Sequence, residues 1–134
     1  MLTQKHDTLL IRSSEDIVRA RQAARTWAVE QGFSLVSQTK LVTAVSEIAR
    51  NMVVFGGGGT MRMEVLDAGA REGLRLTFED KGPGIPDIEL AMKDGYTTGN
   101  GLGLGLGGTK RLVNEFDIVS RVGEGTRVTI TMWQ

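Results

Sequence analysis

Leu74-Arg75-Leu76-Thr77-Phe78-Glu79-Asp80-Lys81-Gly82-Pro83-Gly84 decides how this chain folds. Leu74, Leu76 and Phe78 alternate with Arg75, Thr77 and Glu79, the period-two signature of a strand with one apolar and one polar face. The alternation stops at Asp80, where two glycines and a proline turn the chain. Just upstream, Thr60 to Asp67 alternates in the same way. Only Ala68 to Gly73 separates the two runs, which predicts a hairpin.

Farther upstream the period changes from two to 3.6. Leu41, Ala44, Val45, Ile48, Ala49 and Met52 recur every three or four residues and predict the buried stripe of a helix starting near Ser37. Four successive glycines, Gly56 to Gly59, are entropically too costly to stay helical and must end it. An earlier helix is predicted by Ile17, Ala20, Ala24, Trp27, Ala28 and Gln31. Ser13 with Asp16 offers it a capping box, and Gly32 is placed to end it in a left-handed conformation. Thr8 to Arg12 reads as a short strand before it.

Downstream, Asp87 can cap a short helix reaching Met92, and Gly95 to Gly101 reads as loop. The stretch Leu102 to Glu115 contains a helix with Leu106, Thr109, Leu112 and Val113 inward. Phe116 to Val122 and Thr126 to Trp133 close the pattern as strands joined through Gly123-Glu124-Gly125. The order is β-α-α-β-β-α-α-β-β. Strands in consecutive pairs with short links favour antiparallel pairing. Helices grouped between the pairs predict an α+β, two-layer sandwich rather than a doubly wound parallel sheet.

Composition narrows the function. At 134 residues the chain is long enough for one domain with a sizeable core. Sixteen basic residues balance sixteen acidic ones, so no net field draws the chain to nucleic acid or an anionic membrane. The lack of cysteine excludes disulfides, thiolate zinc sites and a cysteine nucleophile. No run is long enough to span a bilayer and no secretory pattern is present, so a cytoplasmic protein is expected. His6, the lone histidine, sits in a polar segment and reads as a surface residue. Of eighteen glycines, nine fall between Gly95 and Gly125, which points to a local role for them.

Three motifs carry chemistry. Glu47 and Asn51 are four residues apart, one turn on the same helix face. The Asn51 amide oxygen suits Mg²⁺, which prefers hard oxygen ligands, and a carboxylate one turn away can orient a nucleophile or take its proton. Two polar residues on a solvated face are the plain alternative. Asp80 can accept a hydrogen bond from an adenine amino group, and Gly82 and Gly84 let backbone approach a flat ligand; a simple β-turn is the alternative. Gly101, Gly103, Gly105, Gly107 and Gly108 precede or open a helix, where free backbone N–H groups attract anions. The spacing Gly103-x-Gly105-x-x-Gly108 matches a dinucleotide fingerprint, but no buried strand leads into it. A phosphate loop of the Walker kind needs Gly-Lys-Ser/Thr, and here Thr109-Lys110 follows Gly108. Gly123-Glu124-Gly125-Thr126 alone is a hairpin turn; Thr126 becomes a second adenine contact only beside Asp80.

Taken in order, these motifs resemble the N-box and glycine boxes of the GHKL ATPase/kinase superfamily, with its Bergerat ATP-binding fold. Within it, the chain is most similar to the serine kinases of bacterial sigma-factor partner switching, of the stressosome type. The resemblance is carried by Ser46-Glu47-Ile48-Ala49-Arg50-Asn51, by the run from Glu79 to Ile88, by Asp94-Gly95-Tyr96-Thr97-Thr98 and by the run from Lys110 to Phe116. It covers nearly the whole chain, from Ile17 to Trp133.

The resemblance implies a largely antiparallel, mixed sheet covered by helices on one face, in one domain over residues 1–134. It implies ATP and Mg²⁺ as cofactors. Glu47 would be the general base and Asn51 the magnesium ligand. Asp80, with Gly82, Gly84, Ile85 and Thr126, would hold the adenine. Gly101, Leu102, Gly103, Leu104 and Gly105 would wrap the phosphates within a mobile lid. The implied reaction moves the γ-phosphoryl group to a serine of a STAS-domain protein, releasing the kinase to a PP2C-type phosphatase. Two alternatives stay open: a nucleotide-dependent binding module, acting as an anti-sigma factor or phosphatase activator with little catalysis, and a free-standing ATPase. His6 lacks the context of a phosphoacceptor. Anti-sigma members carry a Thr-Asn pair followed by a histidine, whereas here Arg50-Asn51 leads to Val53-Val54-Phe55. No Arg or Lys lies between Lys93 and Lys110, so the implied lid has no cation of its own.

Overall fold

The computed structural model describes residues 2–93 and 105–134. Its elements run β1 (Leu2–Ile11), α1 (Ser14–Glu30), α2 (Leu35–Gly56), β2 (Gly59–Asp67), β3 (Glu72–Asp80), α3 (Ile88–Ala91), α4 (Gly105–Lys110), β4 (Glu115–Arg121) and β5 (Gly125–Trp133). This is the expected order. The strands form one five-stranded sheet, β1-β2-β3-β5-β4. All its pairings are antiparallel, so the sheet is not mixed among the described strands.

The core follows from cross-strand alignment. Met61, Phe78 and Val128 stand in one row across β2, β3 and β5; Met63, Leu76 and Ile130 in the next; Val65, Leu74 and Met132 in a third. All nine are buried. Against them α2 lays Leu41, Ala44, Val45, Ile48, Ala49 and Met52, the stripe read from the sequence. Burying each such Leu, Ile or Val contributes roughly 1.5–3 kcal/mol. Ala20, Ala24, Trp27 and Ala28 of α1 complete the layer. The other sheet face carries Arg62, Thr77, Glu79 and Arg127. There the Arg75 guanidinium holds Glu64 through two hydrogen bonds of 3.1 and 3.2 Å, which lets that carboxylate sit buried.

Local chemistry explains the boundaries. The Asp16 backbone N–H donates to Ser13 Oγ at 3.3 Å. The Asp16 carboxylate accepts from the Arg12 backbone N–H at 2.9 Å rather than closing a strict capping box on Ser13. Gly32 takes its expected left-handed φ of +78°. α2 starts at Leu35, two residues before the expected Ser37, because Ser34 is the cap and accepts from the Ser37 N–H at 3.1 Å. The helix runs through Gly56, and Gly57, at φ +75°, ends it.

One strand is longer than expected, and one helix is found within its expected span. β1 is ten residues long, not the short strand Thr8 to Arg12. It pairs on one side only, and an edge strand tolerates the exposed Lys5, His6 and Asp7 that mask its pattern. The helix expected between Leu102 and Glu115 is described only from Gly105 to Lys110. Leu106 and Thr109 are buried in it, whereas Leu112 and Val113 lie beyond it, part-buried against the core. Asp87 caps α3 as expected, accepting from the Leu90 N–H at 3.0 Å. The expected loop from Gly95 to Gly101 lies outside the described residues.

Candidate active site

β3 ends at Asp80, and its neighbour β5 begins at Gly125, so Asp80 and Thr126 stand opposite one another at the same end of the sheet. The last turn of α2 covers this end. Together they enclose a cavity of about 470 Å³, within the usual range for a small-molecule site. Asn51, Asp80, Gly84, Ile85, Gly105 and Thr126 all line it. Apolar side chains supply most of its wall, notably Ile48, Met52, Phe78, Leu106 and Val128. That is the setting for a flat, largely apolar ring read by a few polar groups.

The polar groups are set by backbone. The Gly82 N–H donates to Asp80 Oδ1 at 2.9 Å, and the Thr126 backbone N–H also donates to this carboxylate. Burial nevertheless holds the Asp80 carboxyl above its ordinary range, against the lowering effect of those two donors. Gly84 combines a φ of +79° with close packing: a Cβ there would stand 2.3 Å from the Arg121 carbonyl oxygen. The Pro83 carbonyl accepts from Gly123 N–H at 2.8 Å, which ties this loop to the β4–β5 turn.

α2 sets the third coordinate. Gly56, its final residue, lies against Asp80. Asn51 is five residues earlier, about 7.5 Å along the helix axis, and Glu47 is roughly 6 Å farther. Along the α2 axis the order is therefore Gly56, Asn51, Glu47, with Asn51 and Glu47 on one face and Gly56 turned away from it. Glu47 is only 2% exposed and does not belong to the cavity wall among the described residues. Gly82 is not part of that wall either; it packs on Gly56. Gly101, Leu102, Gly103 and Leu104 lie outside the described residues.

Several wall residues escaped the sequence reading. Phe55, Pro83, Pro86, Asp87 and Leu90 line the cavity, and Ser120 supports it from behind. Ser120 was accessible in principle, because a tight β4–β5 turn aligns it with Thr126. Among the described residues no group of three or more His, Asp or Glu side chains could hold a metal ion. A magnesium ion held by one amide oxygen, phosphate oxygens and water needs no such group.

Residues 36–134 match the family of histidine kinase-, DNA gyrase B- and HSP90-like ATPases. The chain belongs to this GHKL ATPase family. Every cavity residue named above lies within the matched segment. Among its relatives is the serine/threonine-protein kinase RsbT of Bacillus subtilis, 47% identical over 118 residues, covering 88% of this chain and 89% of RsbT. An anti-sigma F factor of a Thermoanaerobacter species is 29% identical over 119 residues, covering 85% of this chain and 82% of that factor.

The GHKL fold is also found in solved structures. The RsbU and RsbW domains of a Mycobacterium tuberculosis protein superpose with a TM-score of 0.65 at 23% identity, covering 97% of this chain but 32% of that longer one. The mycobacterial sensor histidine kinase MprB gives 0.56 at 22% identity, covering 96% and 97%. These two likenesses concern the fold alone. Among the described residues no helix is long and apolar enough to cross a membrane.

Proposed function

We propose that this GHKL ATPase is a protein-serine/threonine kinase that phosphorylates a serine of a STAS-domain protein in a partner-switching pathway. The observation that carries this reading is that Asn51 of α2 and Asp80 of β3 line one cavity with Gly84, Ile85, Gly105 and Thr126, with Glu47 one helical turn from Asn51. The 47% identity to a serine/threonine kinase over most of both chains supports it.

Asp80 accepts a hydrogen bond from the adenine amino group, with Thr126 beside it and Gly84 and Ile85 forming the adjacent wall. Asn51 would hold Mg²⁺ through its amide oxygen. The metal supplies neutralisation of phosphate charge when bound. Gly105 would meet the phosphates, a role that Gly101, Leu102, Gly103 and Leu104, outside the described residues, would share. Glu47 takes the proton of the attacking serine as its oxygen bonds to the γ-phosphorus and the bond to ADP breaks. Phosphorylation then releases the kinase to a PP2C-type phosphatase. The 29% likeness to anti-sigma F factors favours a second reading, nucleotide-dependent binding with little catalysis.

Incubating the chain with Mg-ATP and a STAS-domain protein from the same genome separates the two. Phosphoserine found on the STAS protein by mass spectrometry supports the kinase. Tight complex formation without phosphoserine favours the second reading.

A further inference from the structure

Ser120, Thr126 and Asp80 stand in a row across β4, β5 and β3. Ser120 does not line the cavity, yet its hydroxyl meets three groups there. It accepts from the Ile85 backbone N–H at 2.7 Å, donates to the Gly125 carbonyl oxygen at 3.2 Å, and lies 2.7 Å from Thr126 Oγ1. A serine hydroxyl has one proton and two lone pairs. All three contacts can coexist in one way only. The Ser120 proton goes to Gly125, and the Thr126 proton goes to Ser120. Thr126 Oγ1 then turns lone pairs, not a proton, toward the cavity. The Asp80 carboxylate beside it is also an acceptor.

We infer that Ser120 is a positioning residue that holds Thr126 as a hydrogen-bond acceptor, so that this end of the cavity selects a purine bearing a 6-amino group over one bearing a 6-oxo group. The inference rests on the reading of this cavity as the adenine pocket. Without Ser120, the Thr126 hydroxyl is free to rotate and donate, and a 6-oxo purine is no longer faced by acceptors alone. Ser120 also anchors Ile85, so its loss loosens two walls of the pocket together.

Equilibrium binding of ATP and of inosine triphosphate to the full chain tests this. Inosine triphosphate differs at the 6-position, where an oxo group replaces the amino group, and in the N1 proton that accompanies it. In Ser120→Ala, the preference for ATP over inosine triphosphate should fall about 3- to 10-fold, as for one lost hydrogen bond, beyond any loss that both nucleotides share as the Ile85 wall loosens. Ser120→Thr keeps the hydroxyl and should restore the wild-type ratio. In a Thr126→Val background, Ser120→Ala should not change the ratio further. Equal weakening of both nucleotides in Ser120→Ala, or no change, overturns the inference. Should Ser120→Ala fail to fold, Thr126→Val alone decides: an unchanged ratio overturns the inference. Asp80→Asn is the control for the pocket itself. If it weakens ATP while the ratio ignores Ser120, only this inference falls; if ATP binding ignores Asp80, the adenine assignment falls with it.

Discussion

Gly56 at the end of α2 and Gly82 after β3 meet backbone to backbone. A Cβ on Gly82 would stand 2.6 Å from the Gly56 Cα, and a Cβ on Gly56 would stand 2.5 Å from an Asp80 carboxylate oxygen. The contact fixes the helix bearing Asn51 and Glu47 at one distance from the strand end bearing Asp80. It joins the two halves of the site; Gly56 also lines the cavity, whereas Gly82 lies behind it.

Gly82→Ala should therefore act on stability and binding together. Backbone, not a flexible side-chain tip, lies in the way, so the overpacking cost is about 1–3 kcal/mol. Urea unfolding should show that loss, and ATP affinity should fall with it. A protein of wild-type stability would mean that the helix and loop can separate freely.

Asp80→Asn tests the nucleobase contact directly. Replacing a charged acceptor costs roughly 1.5–3 kcal/mol, about 10- to 150-fold in ATP affinity. Isothermal titration calorimetry measures it. Binding at wild-type strength would place the base elsewhere.

Glu47→Ala should slow phosphoryl transfer about 10²- to 10⁴-fold while ATP still binds. Rapid-quench measurement of phosphoserine, alongside a binding titration, separates the two effects. Transfer at an undiminished rate would remove Glu47 from the chemistry.

Asn51→Ala should remove most of the magnesium dependence of ATP affinity. In wild type, adding EDTA should weaken ATP binding; in the variant, EDTA should change little. An unaltered EDTA effect would assign the metal to other groups.

Acidity should act through Asp80. Its carboxyl titrates above the ordinary carboxylate range because burial disfavours the charge. As pH falls through that raised value the acceptor is protonated and ATP affinity drops. Stability of the free protein moves the other way. The folded form holds the proton more tightly than the unfolded form, so this group's contribution is full below the unfolded value and lost as pH rises through the folded one. Asp80→Asn should flatten both trends; trends that persist in the variant would point to another group.

Much of the fold was legible because its signals are local. The period-two run from Leu74 to Phe78 and the 3.6-period stripe from Leu41 to Met52 became core without exception. β1 was read too short because polar residues on an edge strand leave no alternation to detect. The site was legible as residue types and less so as contacts. Asn51, Asp80, Gly84 and Thr126 converge as expected. Gly82 packs on Gly56, and Glu47 is buried beside Ile48, outside the cavity wall among the described residues.

By itself the sequence determined the order of helices and strands, the face each one buries, and the polar residues available for ATP chemistry. Each of these depends on side chains only a few positions apart. Tertiary structure alone decided that β5 lies between β3 and β4, that Gly56 abuts Gly82, and that Ser120 stands behind Thr126 in line with Asp80. Those relations arise from hydrogen-bond register and close approach between distant segments, which no local pattern of hydrophobic and polar residues encodes.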